Sequence, residues 1–304
     1  MSDVRHTTDS VLMIEPVRFH PNAETFVDNA FQVATEPAHP EQTQKKALAE
    51  FNTLRALLEG QGVKVTLFQD VAANETPDSI FPNNWFSTHE DSRLVVYSMM
   101  TPNRRREKRA DIIQTLRKER AHLLDLSAHE SDGHFLEGTG SLVLDRAKRI
   151  AYASLSYRTH PELLALWAKE LGYNTCTFTS YDASGLEIYH TNCMMSLGSG
   201  YAVVCFDAVR NENERKALRE SLVKSGIEPI DISLKQVLHY CANCLELKTG
   251  AGKPLLVMSE NAFTHLEDPQ LKTLSRYVSF LHCALPTIEQ CGGGSARCML
   301  AELY

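Results

Sequence analysis

Apolar and polar positions follow a recurring order along most of this 304-residue chain. Two short apolar runs, typical of a β-hairpin, are followed by an amphipathic helical pattern and then by another short strand-like run. The hairpin patterns cover residues 85–100, 137–156, 191–206 and 244–263, and the helical patterns cover 41–59, 104–124, 161–171, 212–224 and 269–281. This order predicts an α/β fold assembled from similar strand-and-helix units.

The first helical pattern has a clear apolar face. Leu48, Phe51, Leu54 and Leu58 recur at three- or four-residue spacing, which places them on one side of a helix. Gly60 follows the last of them, and glycine is a common stop signal for helices. We therefore expect a helix that ends near Gly60 and packs its leucines against a sheet.

The units recur at a nearly constant interval. Asn84, Glu137, His190, Cys244 and Cys298 stand at the entry of successive units, and subtraction of their numbers gives separations of 53, 53, 54 and 54 residues. A fixed period of this length indicates an internal structural repeat. Five such units predict a closed ring in which equivalent strand ends meet at the centre. Because no Pro/Gly/Ser-rich linker interrupts the chain, residues 1–304 are interpreted as a single catalytic domain.

Composition limits the partners and the compartment. The formal net charge is −7 and the basic residues are dispersed, apart from Arg104–Arg106, so neither nucleic acid nor a membrane surface is indicated. No run approaches 18 apolar residues, and the polar N-terminal sequence "MSDVRHTTDS" predicts no export signal. Eight cysteines in a chain of this length are typical of free thiols in a reducing compartment, which predicts a cytoplasmic protein.

Cys298 is a candidate nucleophile. It follows three consecutive glycines in "QCGGGSARCMLAELY", where the backbone can approach a ligand closely. The neighbouring Arg297 is expected to favour the thiolate through its charge. The alternative is that Cys298 is a small buried apolar residue, as most cysteines are.

His190 and Glu137 are candidate partners of Cys298. A histidine can pass protons in both directions near neutral pH, and a carboxylate between Leu136 and a glycine turn is costly unless it is paired. A structural histidine and a solvated turn glutamate are the alternatives. Because the repeat places Glu137, His190 and Cys298 at one centre, the set predicts attack on an sp² carbon, protonation of a leaving nitrogen and activation of water.

Cofactor motifs are weak. Cys241 and Cys244 form a C-x-x-C without a second pair, and residues 292–294 lack the lysine and hydroxyl residue of a phosphate loop. We therefore expect no metal and no organic cofactor.

Six motifs in order resemble the guanidine-modifying enzymes, which include arginine deiminase, dimethylarginine dimethylaminohydrolase and the amidinotransferases. They are "PDSIFPNNW", "TPNRRRE", "FLEGTGSLVL", "SLSYRTHPE", "YHTN" and "CGGGSARCM". The resemblance spans essentially the whole chain and implies a five-bladed α/β propeller, the pentein fold, with pseudo-fivefold repeats of about 53 residues. It also implies Cys298 as nucleophile, His190 as general acid and base, and Glu137 as its partner.

The same resemblance assigns the α-carboxylate of an amino-acid substrate to Arg158 and to one of Arg104 and Arg105. A planar guanidinium is suited to bidentate carboxylate binding. The resemblance therefore implies a small amino-acid substrate as the partner, and it is compatible with a homo-oligomer.

Three positions depart from the family pattern. Relatives that act on arginine carry acids where this chain has Asn83, Asn84 and Asn192. A buried guanidinium without counter-charge costs about 3–5 kcal/mol, whereas an amide can donate to the oxygen of a neutral ureido group and accept from its NH₂. In a pocket free of anionic side chains, these changes predict hydrolysis of citrulline to ornithine, ammonia and carbon dioxide through an S-carbamoyl enzyme.

Three other functions stay open from the sequence. The first is an arginine deiminase or a hydrolase of a modified arginine. The second is a non-catalytic propeller that binds a partner, and the third is transfer of an amidino group to an amine. Asn83 and Asn84 also have a simpler interpretation, because Pro-Asn-Asn sequences commonly form turns.

Overall fold

A computed structural model describes residues 7–26, 29–32 and 39–304 of the chain. Within these residues, fifteen strands form five three-stranded sheets. In chain order the strands are β1 Ser10–Glu15, β2 Lys64–Gln69, β3 Phe86–His89, β4 Arg93–Val96, β5 His122–Asp125, β6 Val143–Asp145, β7 Ile150–Ser154, β8 Asn174–Phe178, β9 Met195–Leu197, β10 Tyr201–Val204, β11 Glu228–Asp231, β12 Leu245–Lys248, β13 Pro254–Ser259, β14 Ser279–Cys283 and β15 Ala301–Glu302.

The five sheets share one plan. In each, the middle strand pairs antiparallel with one neighbour and parallel with the other, as β4 does with β3 and β5. The first sheet is assembled from both ends of the described chain, because β15 pairs antiparallel with β1 while β2 pairs parallel with it. The predicted α/β class and the repeated unit are confirmed by these five equivalent sheets.

Helices make the crossovers that parallel pairing requires, since parallel neighbours cannot be joined by a tight turn. The helices are α1 Pro40–Gly60, α2 Pro102–Arg105, α3 Ala110–Arg117, α4 Gly138–Ser141, α5 Pro161–Leu171, α6 Glu212–Lys224, α7 Leu234–Leu238, α8 Glu260–His265, α9 Asp268–Leu274 and α10 Pro286–Gly292. The predicted helices 161–171 and 212–224 have the observed bounds of α5 and α6. None of the helices in the described ranges is long and apolar enough to cross a membrane.

Two predicted helices were too long. The stretch 104–124 contains α2, α3 and the strand β5, and the stretch 269–281 ends its helix at Leu274 and continues as β14. In the second case Leu271, Leu274, Val278 and Leu281 keep helical spacing across the true boundary. Pairing of β14 with the buried β13 decides the conformation of the last residues, because tertiary contacts override local pattern.

The core around α1 reaches the segment that carries Cys298. Phe51, Leu54 and Leu58 are fully buried, as the apolar stripe predicts, and they share a core cluster with Val11 of β1 and with Cys298. Leu48 of the same stripe is only half-buried. Packing of α1 therefore supports the sheet beside which the candidate nucleophile lies.

Short turns precede the first strand of four sheets and contact one another. Three of them are the 3₁₀ turns Pro82–Asn84, Thr191–Cys193 and Ala296–Met299, and the fourth is α4. Gly138 of α4 lies so close to the first turn that a Cβ there would come within 2.4 Å of the Asn83 carbonyl oxygen. Of the residues selected by the repeat interval, Asn84 and Cys298 lie in these turns, Glu137 and His190 immediately precede two of them, and Cys244 lies in none of the four.

Candidate active site

Glu137 and His190 form a buried hydrogen-bonded pair. The Nε2 atom of His190 lies 2.8 Å from Oε2 of Glu137, and Nη1 of Arg158 lies 3.4 Å from the same oxygen. The other carboxylate oxygen accepts the backbone N–H of Met100 at 3.0 Å. A carboxylate with these partners holds Nε2 of the imidazole as a donor, which leaves Nδ1 to exchange a proton.

The pKa values of both groups in this pair are lowered, each for a different reason. Burial alone would raise the pKa of Glu137, but Arg158 and the His190 hydrogen bond hold it well below its ordinary value. Burial lowers the pKa of His190, and Glu137 opposes that shift only in part. In the resting site we therefore expect an ionised carboxylate and a neutral imidazole.

Cys298 lies in the turn between α10 and β15 and is 7% exposed. The sulfur lies 3.2 Å from Nδ2 of Asn243 and 3.7 Å from Nδ2 of Asn192. The expected role of the Arg297 charge is wrong, because that guanidinium donates to the Leu300 carbonyl oxygen and to Glu302. Amides, and not this cation, are the side-chain donors at the sulfur.

The glycine loop forms one wall of the site. Gly293 has a φ of +63° and ends α10, and a Cβ at Gly292 or Gly294 would come within 2.8 Å of the Phe81 ring. The hydroxyl of Tyr189 donates to the Gly293 carbonyl oxygen at 3.2 Å. Close packing on Phe81 and the left-handed turn explain the run of three glycines.

The two adjacent amides of the 82–84 turn differ in their surroundings. Asn84 lies in the cavity wall, where Oδ1 accepts Nη1 of Arg104 at 3.0 Å and Nδ2 has no partner among the described residues. Asn83 is fully buried outside the cavity wall, and its side-chain amide has no partner within the same ranges. Of the two predicted amides, the structure places Asn84 in the cavity wall and Asn83 outside it.

The three predicted arginines are also distinguished. Arg158 lines the cavity, and its guanidinium lies 4.7 Å from the ring centroid of Tyr189. Arg104 lines it as well, and it pairs with Glu107 through two hydrogen bonds of 2.8 and 3.0 Å. Arg105 is outside the cavity wall and donates to the Met99 and Met100 carbonyl oxygens, so of the adjacent pair only Arg104 reaches the site.

A cavity joins these groups. Its free volume is about 20 Å³, enough for about one water molecule, so an amino acid can bind only if the wall moves outward. The predicted site residues in its wall are Asn84, Arg104, Arg158, His190, Asn192 and Cys298. Glu137 supports the wall from below through His190 and Arg158.

Comparison with known proteins places the chain in a family. The model of the eukaryotic N,N-dimethylarginine dimethylhydrolase family matches residues 15–304. The chain belongs to this family. It is accordingly a hydrolase that acts on carbon–nitrogen bonds. A search of the curated proteins found no significant match.

Solved structures share the fold of this dimethylarginine dimethylhydrolase family member. The N-terminal domain of ArgZ, an arginine dihydrolase of the ornithine–ammonia cycle in cyanobacteria, is 15% identical over 97% of each chain, with a TM-score of 0.77. A complex of an AgrE mutant with L-arginine is 16% identical over 97% of this chain and 40% of that chain, with a TM-score of 0.77. A Pseudomonas aeruginosa DDAH mutant bound to citrulline is 13% identical over 98% and 100%, with a TM-score of 0.68.

One carboxylate contradicts the expectation of a pocket without anions. Asp78 lies in the cavity wall of this family member, accepts Nδ2 of Asn22 at 2.7 Å and lies 3.9 Å from Nε of Arg104. Its Oδ1 atom has no partner among the residues described. Burial raises the pKa of Asp78, against the opposing effects of Arg104 and Asn22.

Two site residues were missed from the sequence. Asn243 precedes Cys244, and the 54-residue step had pointed to the cysteine, so a shift of the repeat by one residue would have found the amide. Asp78 lies within the quoted motif "PDSIFPNNW", where the acid two residues before Ile80 received no role. Asp78 has no spacing signal that distinguishes it from a turn residue.

One group of side chains outside the site could hold a metal. The ligand atoms of His134, His160 and Glu162 lie within 4.8 Å of one another. The two imidazole rings, however, are stacked 3.8 Å apart at an interplanar angle of 17°. An ion at bonding distance cannot lie in the planes of two nearly parallel rings, so this arrangement does not fit a metal without rotation of a ring.

Proposed function

We propose that the protein hydrolyses the ureido group of citrulline, with Cys298, His190 and Glu137 as catalytic residues. The observation that carries the proposal is the orientation of Asn84. A guanidinium can only donate hydrogen bonds, so Arg104 determines that the oxygen of the Asn84 amide faces it. The remaining NH₂ group can donate to a ureido oxygen, whereas a guanidinium substrate offers no acceptor to it.

Asn84 is close enough to the reaction centre to act in this way. A Cβ on Gly140 would lie 2.3 Å from Nδ2 of Asn84 and 2.8 Å from Nδ1 of His190. The amide donor and the imidazole nitrogen therefore lie close together beside the Gly140 backbone, and both side chains line the cavity. A planar group bound in the cavity would have its oxygen directed to Asn84 and a nitrogen directed to His190.

The reaction would proceed in two steps. Cys298 transfers its proton to Nδ1 of His190 and its sulfur bonds to the ureido carbon, while Asn84 stabilises the negative oxygen. His190 then returns the proton to the δ-nitrogen, the carbon–nitrogen bond breaks, and ornithine leaves an S-carbamoyl enzyme. Water then gives a proton to His190 while its oxygen bonds to the carbamoyl carbon, the carbon–sulfur bond breaks, and the Cys298 sulfur takes the proton back. The carbamic acid released decays to ammonia and carbon dioxide.

Arg158 and Asp78 would bind the two charges of the amino-acid head group. Arg158, which lines the cavity, is a candidate for the α-carboxylate. Every nitrogen of the Arg104 side chain donates to a protein acceptor, which favours an orienting role for Arg104. The unpartnered oxygen of Asp78 is suited to the α-ammonium group. Arg104 then serves mainly to orient Asn84.

A guanidino substrate is the second candidate, and Asp78 is the observation that favours it. An ionised carboxylate in the cavity wall can supply counter-charge to a guanidinium, as the family name and the arginine-bound relative also suggest. Arginine and its N-methylated or N-acylated derivatives are the substrates to test.

Incubation of the purified protein with citrulline or arginine, followed by assay of ornithine and citrulline, distinguishes the two candidates. We expect ornithine from citrulline and none from the Cys298→Ala variant. Asn84→Asp should lower kcat/KM for citrulline by about 100-fold or more, because a carboxylate has no proton to share with the ureido oxygen. Turnover of arginine but not of citrulline would refute the ureido assignment.

We also propose that the five sheets close as the blades of one propeller domain spanning residues 1–304. Support comes from their shared plan, from the contacts among the turns at the centre and from the pairing of β15 with β1. All eight cysteines are free thiols, as the sequence predicts. A cytoplasmic location and a homo-oligomeric state stay predictions.

A further inference from the structure

The surroundings of the Cys298 sulfur raise the question of what would stabilise its thiolate. The guanidinium next to it in sequence is bound elsewhere, and a neutral ureido substrate would bring no positive charge. Within the part of the chain that the structure describes, the side-chain donors in hydrogen-bonding range are Nδ2 of Asn243 and Nδ2 of Asn192. At 3.2 Å, the Asn243 contact is the shorter of the two.

The orientation of Asn243 follows from the partner of its side-chain oxygen, while Nδ2 also donates to the Asn192 carbonyl oxygen at 3.4 Å. Its Oδ1 atom accepts the backbone N–H of Arg297 at 3.1 Å. A peptide N–H can only donate, so rotation of the amide by half a turn would place two donors against each other. Nδ2 must therefore face the sulfur, and the residue before the cysteine holds it there.

A second cysteine in the same cavity provides a contrast. The sulfur of Cys193 lies 3.9 Å from Oδ1 of Asn192, which is an acceptor, while Nδ2 of the same amide faces Cys298. Burial raises the pKa of Cys193. The amides thus present an acceptor to one sulfur and donors to the other, an arrangement that keeps the first a thiol and suits the second as a thiolate.

We propose that Asn243 is a further catalytic residue, which holds Cys298 as a thiolate by donating a hydrogen bond to the sulfur. In the thiol form the S–H group has Oδ1 of Asn243 at 3.7 Å as an acceptor. When the S–H bond breaks and its proton bonds to Nδ1 of His190, the negative sulfur accepts from Nδ2 instead, while the covalent bonds of Asn243 stay unchanged. The inference rests on the proposed function only in taking Cys298 as the nucleophile.

Alkylation with neutral iodoacetamide tests this role without any substrate. Trypsin cleavage after Arg297 releases residues 298–304, a peptide whose single cysteine is Cys298, so mass spectrometry reads this position alone. Asn243→Asp keeps an acceptor for the Arg297 N–H and replaces the donor to sulfur by a negative oxygen. Asn243→Ala removes both contacts.

Near neutral pH we expect Cys298 in the Asn243→Asp variant to be alkylated roughly 10- to 100-fold more slowly than in the wild type, the range for one hydrogen bond to an ion. Asn243→Ala should slow alkylation in the same direction. Both rates should rise toward the wild-type rate as the pH is raised, because the thiolate then forms without the donor. Asn213→Asp, on the exposed face of α6, is the matched control and should leave the rate unchanged.

Alkylation of Cys298 at the wild-type rate in both Asn243 variants near neutral pH would overturn the proposal. A slow rate that persists at high pH would also overturn it, since that result indicates a blocked or misfolded site. If the alkylation rates follow the predicted pattern but citrulline is not turned over, the ureido assignment is refuted and the role of Asn243 still holds.

Discussion

At the residue scale, two amides beside the reaction centre are oriented by partners that can only donate. Arg104 faces the oxygen of Asn84, and the Arg297 N–H faces the oxygen of Asn243. In both cases the NH₂ group is directed toward the site. These neutral amides can therefore hold negative charge that develops on an oxygen or a sulfur, provided that the orienting donors stay in place.

Acid should weaken the fold through Glu137. Its pKa is lowered in the folded protein, so its contribution to stability is complete above the ordinary value of 4.5 and is lost as the pH falls below it. We expect Glu137→Gln to lower the free energy of unfolding by about 3 kcal/mol or more near pH 7, since Arg158 loses its buried partner. The difference in free energy of unfolding between the wild type and Glu137→Gln should decrease as the pH falls toward about 3.5.

Urea unfolding at several pH values measures this difference. Glu119→Gln is the control, because that side chain is 84% exposed and should change neither the stability nor its pH dependence appreciably. A gap between wild type and Glu137→Gln that is constant with pH would contradict the ionised pair.

Sequence reasoning succeeded at this scale where chemistry restricts the choice of residue. Glu137, His190 and Cys298 could be selected because repeat spacing and reactivity agree on them. Asn83 could not be separated from Asn84, since only the direction of the turn determines which amide enters the cavity. Asp78 was missed because a carboxylate next to a proline has the same local pattern whether it faces solvent or substrate.

At the scale of elements, the short helix α4 brings its glycines against two catalytic segments. Gly138 follows Glu137 with a φ of +49°, and Gly140 lies beside Asn84 and His190. The motif "FLEGTGS" thus combines a carboxylate with two positions at which a side chain cannot be accommodated. Glycine is therefore needed in α4 both for close packing and for the placement of Asn84 and His190.

Gly140→Ala should damage the site more than the fold. The new Cβ would lie 2.3 Å from Nδ2 of Asn84, so the amide or His190 must move. We expect kcat/KM to fall by about 10-fold or more and the free energy of unfolding by about 1–3 kcal/mol.

Steady-state kinetics and thermal unfolding check this prediction. Gly60→Ala at the end of α1 is the control, because nothing lies within 4 Å of the new Cβ and activity should be unchanged. Full activity in Gly140→Ala would show that Asn84 and His190 tolerate displacement.

Element boundaries were predictable only where local signals and tertiary pairing agree. α5 begins at Pro161 and ends before Gly172, and α6 begins after Asn211, whose side chain caps it, so both could be read from the sequence. The helix-to-strand change after Leu274 could not, because its apolar spacing continues unbroken into β14. Pairing of β14 with β13, which the sequence pattern does not reveal, determines where the helix ends.

At the scale of the whole molecule, buried charges tie the last strand to the rest of the fold. Glu302 of β15 pairs with Arg297 at 2.8 Å and with Arg146 at 3.6 Å. Burial would raise the pKa of Glu302, but the two arginines hold it below its ordinary value. These ion pairs join residues from two sheets, and Glu302 lies four residues after Cys298 in the sequence.

Glu302→Ala should leave two buried arginines without this partner. We expect the free energy of unfolding to fall by about 3–5 kcal/mol, with loss of activity as the Cys298 turn loosens. Glu228→Ala, which breaks a surface pair with Arg276, is the control and should cost at most about 1 kcal/mol.

Chemical unfolding and steady-state kinetics of Glu302→Ala and Glu228→Ala test this prediction. A Glu302→Ala protein as stable as wild type would indicate that water, and not Glu302, satisfies these arginines.

The pairing of β15 with β1 has a consequence for how the protein becomes active during synthesis. Val11 and Glu302 are register partners although almost the entire chain separates them. A nascent chain could fold four sheets before its reactive thiol has emerged from the ribosome. Ordering of that thiol then awaits the slowest kind of contact to form, one between distant parts of the chain. Partly synthesised copies would therefore be inert toward cellular metabolites.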